Sequence, residues 1–244
     1  MAMLRLALLL MALAGPAAAL GCSQTAFEGV GYTLCEVGAG EDLRMFHSGP
    51  DGAYGQFSAV DRALEAEGGH LVFAMNAGMY HRDLAPVGLY VEGGVERAPL
   101  VVADGPGNFG LLPNGVFCVG ADGGFSVLES RRFASARPDC RFATQSGPML
   151  VIGGELHPRF LPGSDSLNIR NGVGVSRDGA RAVFVISDGA VNFHAFGRFF
   201  RDVLGLDDAL YLDGSISRLY APQLGRRDGG FAVGPMVGVV EPKE

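Results

Sequence analysis

The chain has 244 residues, 48% hydrophobic and 18% charged, with 19 Lys and Arg against 26 Asp and Glu. A formal net charge of −7 leaves no electrostatic footprint for nucleic acid or an anionic membrane, so any anionic ligand needs a local basic pocket. The 38 glycines favour turns and close backbone approaches, and hence β structure over a helical bundle.

Residues 1–19 read as a signal peptide: Arg5, an apolar run from Leu6 to Leu13, then the small residues Ala17-Ala18-Ala19 before a cleavage site. Residues 20–244 then form one domain, large enough for a sizeable core. No later stretch approaches the roughly 18 apolar residues of a membrane span, so a periplasmic or secreted protein without a transmembrane segment is expected. Leu20-Gly21-Cys22 is a poor lipobox, and acylation of Cys22 is the alternative.

Four cysteines in an exported chain suggest two disulfides, with three pairings open. Cys22 with Cys35 and Cys118 with Cys140 is favoured, because each closes a local loop. No C-x-x-C is present and the histidines are scattered, so a metal site is not expected. Asp83, Asp104 and Asp165 lack calcium-loop spacing.

Along the chain, Ser58 with Asp61 reads as a weak capping box opening a helix that stops at Gly68-Gly69. A short helix fits Leu128–Ala136, and a third runs from Phe193 to Leu204 before Gly205. Strands are predicted over Leu71–Met75, Val87–Val91, Pro99–Val102, Val116–Val119, Met149–Ile152, Val173–Ser176, Ala182–Ser187, Ala209–Leu212 and Met236–Val240. The turn Arg177-Asp178-Gly179 joins two of them as a hairpin. The fold class is therefore α+β: a mixed, largely antiparallel sheet core with two or three helices in a single domain.

Two strands end in Asp-Gly, at Asp188-Gly189 and Asp213-Gly214. If the helix between them carries the chain back to a parallel strand, both carboxylates reach one sheet edge, where a pair can serve glycosyl transfer. The plain alternative for each is turn or capping chemistry. Arg170 precedes a Gly-rich strand, and its planar fork suits a phosphate; an ordinary ion pair is the alternative. Asn76 ends an apolar strand, as ligand contact or Asx-turn anchor. Gln145-Ser146-Gly147 offers amide, hydroxyl and backbone donors, but no nucleophile elbow surrounds Ser146. His81 is the best placed of the histidines, while His194 reads as packed in its helix. Gly105-Pro106-Gly107-Asn108-Phe109 is a shaped loop rather than a phosphate cradle, since no helix follows it.

Taken together, Asn76-Ala77-Gly78-Met79-Tyr80, Gln145-Ser146-Gly147-Pro148-Met149-Leu150, Arg170-Asn171-Gly172-Val173-Gly174, Asp188-Gly189 and Leu212-Asp213-Gly214 resemble, in order, the blocks of the phosphodiester glycosidase family. The likeness is to a bacterial subgroup of unknown substrate. It departs from the family where Ser215-Ile216-Ser217 replaces Gly-Gly-Ser-Ser after the last aspartate. The resemblance implies an exported hydrolase of sugar-1-phosphodiesters that cleaves the glycosidic C1–O bond without a cofactor. Asp213, Asp188 and Arg170 are then the catalytic candidates. Asn76, His81, Gln145, Ser146, Gly147, Gly214, Ser215 and Ser217 are the candidates for binding a small-molecule or glycan substrate with a sugar-phosphate linkage. A non-catalytic glycan-binding domain and a serine esterase using Ser146 are the competing readings.

Overall fold

The computed structural model describes residues 20–213 and 216–243. The expected signal peptide and two of the candidate contacts, Gly214 and Ser215, lie outside them.

Three antiparallel sheets surround one apolar core. A seven-stranded sheet runs Gly21–Phe27, Val30–Gly38, Arg181–Ser187, Asn171–Val175, Asp208–Asp213, Met149–Ile152, Glu155–Leu156 in spatial order. A five-stranded sheet runs Phe125–Glu129, Gly115–Gly120, Cys140–Ser146, Tyr90–Glu92, Val95–Ala98. The other five-stranded sheet runs Arg226–Arg227, Leu219–Ala221, Gly69–Asn76, Met236–Pro242, Leu43–Phe46. Phe184, Phe117 and Phe73, one from each sheet, meet in the shared core.

Each sheet also buries an outer face, which is why its strands read as nearly continuous apolar runs. In Arg181–Ser187 the side chains alternate: Ala182, Phe184 and Ile186 enter the shared core, while Val183 and Val185 pack outward. That outer face is covered by the helix Phe193–Arg198 and the π-helical turn Phe199–Val203, whose Phe196, Phe199 and Phe200 are fully buried. Asn192 caps the helix, its side-chain oxygen accepting from the Ala195 amide at 2.8 Å. The helix can approach because Gly174 lacks a side chain: a Cβ there would lie 2.6 Å from Leu206 and 2.9 Å from Phe200. Helix Phe57–Ala66 covers the outer face of the Gly69–Asn76 sheet through Phe57, Val60 and Leu64. The short helix Ser130–Ala136 packs Phe133 on the third outer face.

Several sequence expectations shift. Gln56, not Ser58, is the first helix's N-cap and makes no side-chain cap bond. Asp61 instead accepts from the Leu71 amide at 2.8 Å, tying helix to strand. No strand spans Pro99–Val102; the partner of Tyr90–Glu92 is Val95–Ala98. The hairpin Gly21–Phe27 with Val30–Gly38 is an addition, turned at Glu28-Gly29 with positive φ at both residues. It sets Cys22 directly opposite Cys35, and the two are joined; Cys118 and Cys140 form the second disulfide. Both pairings are those expected from loop length.

Strand Asp208–Asp213 runs parallel to Arg181–Ser187, since both pair antiparallel with Asn171–Val175 between them. The chain thus brings the ends of both Asp-terminated strands, and the start of the strand after Arg170, to one edge.

Candidate active site

At that edge, Asn171 pairs with Ile186 on one side and Asp213 on the other. Its side chain points inward, donating to the backbone oxygen of Asn76 at 2.7 Å and to Asn76 Oδ1 at 3.1 Å. Its Oδ1 accepts from the Asp213 amide at 3.0 Å. Asn76, at the end of its own strand, donates through Nδ2 to Asp213 Oδ2 at 3.1 Å and to the Ile216 carbonyl at 2.7 Å. Asn76 Oδ1 also accepts from the Arg218 amide at 2.9 Å. Two fully buried carboxamides from two sheets therefore fix one carboxylate and the chain around it. Ser217 closes the corner by donating to the Ile169 and Asp213 carbonyls at 3.0 and 3.2 Å.

Asp213 is 7% exposed and lines a cavity of about 650 Å³. This is within the size range of small-molecule sites. One wall is Met79 to Arg82. These residues enter a tight turn in which the His81 amide donates to Ala85 O at 2.8 Å and Leu84 O contacts His47 Nε2 at 3.0 Å. The opposite wall is the loop Pro106 to Phe109, with Val87 and Ile216 completing the lining. The charged and titratable side chains on it are Asp213, His81, Arg82 and Tyr80. Burial raises the Tyr80 hydroxyl above its usual pKa; the nearby Asp213 charge adds to this and Arg218 opposes it.

The remaining candidates fall elsewhere. Arg170 is fully buried on the other face of the seven-stranded sheet. Its Nε donates to Val191 O at 2.8 Å, Nη1 to the Tyr211 hydroxyl at 3.2 Å and Nη2 to Ser166 O at 2.8 Å. Phe193 stacks 3.7 Å below the guanidinium carbon. The expectation that Arg170 reaches the Asp213 cavity is corrected: successive strand residues face opposite ways, and Asn171 takes the inward position.

Asp188 shares the edge but does not line the cavity. It accepts from Arg226 Nη1 at 2.6 Å and Thr33 Oγ1 at 3.2 Å. Ile186 and Asp213 stand two strand spacings apart, roughly 10 Å, and Asp188 lies two residues farther along.

Gln145 spends both ends of its amide inside the protein: Oε1 accepts from the Leu89 and Val101 amides, and Nε2 donates to Val101 O and Ser130 Oγ. Ser146 is fully buried and donates to Leu212 O at 2.7 Å. A Cβ on Gly147 would lie 2.6 Å from Asn114 Cβ and 3.2 Å from Phe109 O, so its missing side chain admits the cavity-wall loop. These three support the site from beneath, contrary to the expectation of ligand contact. The additions are Asn171, Tyr80, Arg82 and Asn108. Asn171 and Tyr80 stood in the Arg170-Asn171-Gly172 and Asn76–Tyr80 blocks and Asn108 in the Gly105–Phe109 loop, none of them singled out as a candidate; Arg82 needed the loops to converge.

Among the described residues no three His, Cys, Asp or Glu side chains gather as a metal site.

Comparison with known proteins agrees with this architecture. The family model for phosphodiester glycosidase matches residues 69–240. The uncharacterized protein YigE of Escherichia coli strain K12 is 38% identical over 181 residues, covering 74% of this chain and 70% of that protein. In fold, the chain is similar to the zebrafish N-acetylglucosamine-1-phosphodiester alpha-N-acetylglucosaminidase catalytic domain, described as auto-inhibited by its pro-peptide. The TM-score is 0.61 and identity 15%, over 90% of this chain and 81% of that one. A hypothetical protein from Synechocystis superposes with TM-score 0.61 and 15% identity, over 91% of this chain and 61% of that one. On the family match and the bacterial relative together, this chain belongs to the phosphodiester glycosidase family.

Proposed function

We propose that the protein hydrolyses sugar-1-phosphodiesters at the glycosidic C1–O bond, releasing a phosphomonoester. The observation that carries this reading is a buried carboxylate, Asp213, that accepts from Asn76 Nδ2 while Asn171 Oδ1 holds its backbone amide, in a cavity also lined by Arg82 and His81. A phosphomonoester has a second pKa of about 6, so it departs without needing a strong acid. One carboxylate then suffices at the anomeric carbon, as base toward water or as charge partner to the oxocarbenium. The C1–O bond breaks, the water oxygen joins C1, and the water's proton leaves through Asp213 or the phosphate.

Arg82 is the cation that faces the cavity, and we assign it the phosphate in place of Arg170. His81 and the loop around Asn108 complete the anion's contacts. Asp188 stands outside this set in our reading. Export belongs to the same proposal: two disulfides suit an oxidising compartment, and no described helix is long and apolar enough to cross a membrane.

The test is hydrolysis of aryl and alkyl sugar-1-phosphodiesters in heavy-oxygen water. Label in the sugar supports C1–O cleavage; label in the phosphate makes the protein a phosphoesterase. Binding of a sugar phosphate without turnover would favour the non-catalytic glycan-binding reading, to which the Ser215-Ile216-Ser217 departure points. The esterase reading has no accessible nucleophile at Ser146.

A further inference from the structure

Residues 80–86 form a tight hairpin on one wall of the Asp213 cavity, which Tyr80, His81 and Arg82 line. Tyr80 pairs with Pro86, the His81 amide donates to Ala85 O at 2.8 Å, and the Leu84 amide to His81 O at 2.9 Å. Arg82, Asp83 and Leu84 are thus a three-residue hairpin loop, whose last position is left-handed and ordinarily glycine. Here it is Leu84, at φ +70°. A Cβ in that conformation crowds the following carbonyl oxygen, so contacts outside the turn must keep it there.

That hold comes from His47. Its Nε2 lies 3.0 Å from Leu84 O, and since a carbonyl only accepts, this nitrogen carries the proton and donates. His47 is itself fixed: its carbonyl accepts from the Tyr54 amide at 3.0 Å, and its ring stands edge-on to the buried Tyr90 ring at 5.7 Å. The Tyr90 hydroxyl in turn donates to Glu92 Oε2 at 3.0 Å. Gly234 leaves room for the turn, since a Cβ there would lie 2.8 Å from Leu84 O and 2.5 Å from Tyr80 Cβ. His47 stands outside residues 69–240, so the family match does not include it.

We infer that His47 is a positioning residue, which sets Arg82 for the phosphate by holding Leu84 in its left-handed conformation. The inference rests on the proposed hydrolase reading, in which Arg82 takes the phosphate. Arg82 and Leu84 are the first and last residues of one short loop, so the backbone of one fixes the place of the other. Without the His47 hydrogen bond Leu84 relaxes toward negative φ, the His81–Ala85 pairing opens, and Arg82 leaves the cavity wall. Asp213 is untouched, because Asn76 and Asn171 hold it from other strands. The loss therefore falls on binding of the phosphate and not on bond breaking at C1.

The test uses the methyl diester of a sugar-1-phosphate that the parent cleaves. His47→Phe keeps a ring beside Tyr90 and removes the donor. Its KM should rise about fivefold, the worth of one neutral hydrogen bond, with kcat within about twofold. His47→Gln, whose amide nitrogen reaches the same carbonyl, should restore KM. Leu84→Gly removes the left-handed penalty, so adding His47→Phe to it should change KM little. An unchanged KM in His47→Phe overturns the inference. So does a rise that His47→Gln fails to restore, or one of equal size in the Leu84→Gly background. If His47→Phe does not fold, His47→Asn replaces it: that amide is too short for Leu84 O, so KM should rise there, and a KM equal to that of His47→Gln overturns the inference. If the parent cleaves no phosphodiester, the hydrolase reading fails separately. Amide hydrogen exchange then decides: faster exchange at His81 and Leu84 in His47→Phe, reversed in His47→Gln, supports the hold, and equal protection overturns it.

Discussion

Arg170 and Asn171 are adjacent in the chain and serve opposite faces of one sheet. Arg170 lies in a closed box of Phe193, Tyr211 and backbone carbonyls, a buried cation with no carboxylate in salt-bridge range among the described residues. Burial accordingly lowers its pKa, against the opposing effect of Tyr211. Asn171 opens onto the corner that holds Asp213 beside a cavity. The period of two along a strand separates a buried structural charge from an amide that positions the cavity's carboxylate within a single dipeptide. Charge type alone does not say which face it serves.

If the box is structural, breaking it should cost stability. Arg170→Ala leaves Val191 O, Ser166 O and the Tyr211 hydroxyl without their donor and opens a void, at a cost of about 3 kcal/mol. The urea midpoint should fall accordingly, while the folded fraction keeps kcat within about threefold. A variant as stable as the parent but inactive would return Arg170 to the chemistry. The opposite pattern is expected on the inner face. Asp213→Asn keeps the volume and the acceptor for Asn76 Nδ2, so the fold should hold, while turnover drops at least about 10²-fold. Asp188→Asn, which disturbs a partly exposed pair with Arg226, should change turnover little; a comparable collapse there would reinstate a paired-carboxylate mechanism.

This contrast also explains how far the sequence could be read. The strands carrying Asp188 and Asp213 were legible because A-V-F-V-I-S and A-L-Y-L are buried on both faces, leaving little but apolar residues before each aspartate. The disulfides were legible as local loops. Arg170 was misplaced because the face it occupies depends on register, which its own segment does not encode. Gln145 and Ser146 looked like ligand groups because a polar run at a strand end signals exposure; here long-range partners, Val101 and Leu212, absorb it. Arg82 carried no local signal and the loop holding Asn108 showed only as a shaped turn, since the cavity exists only where two loops 26 residues apart converge.

Arg82 gives the next test of the inner face. Its guanidinium is exposed, so Arg82→Gln should leave stability nearly unchanged. Loss of one charged hydrogen bond of about 1.5 kcal/mol should raise KM for phosphodiesters about tenfold. Aryl glycosides without phosphate should respond less, and an equal response would remove Arg82 from the phosphate.

The smallest effect is expected at Tyr211, which touches both faces electrostatically. Burial is the main cause that raises its hydroxyl above the usual 10.0; the Arg170 charge opposes this and the Asp213 charge adds to it. Below about pH 10 the phenol is neutral in both folded and unfolded chains. Above that the unfolded chain loses the proton first, so folding stability falls as pH rises. Tyr211→Phe removes this dependence but leaves Arg170 Nη1 without its acceptor, costing about 1 kcal/mol near neutral pH. The deficit of the variant should therefore shrink above about pH 10, by at most about 1.4 kcal/mol per pH unit. Urea midpoints of both proteins from about pH 9 to about pH 11 would show the gap closing. A constant gap would mean that the folded phenol ionises as readily as the unfolded one, and that water enters the box around Arg170.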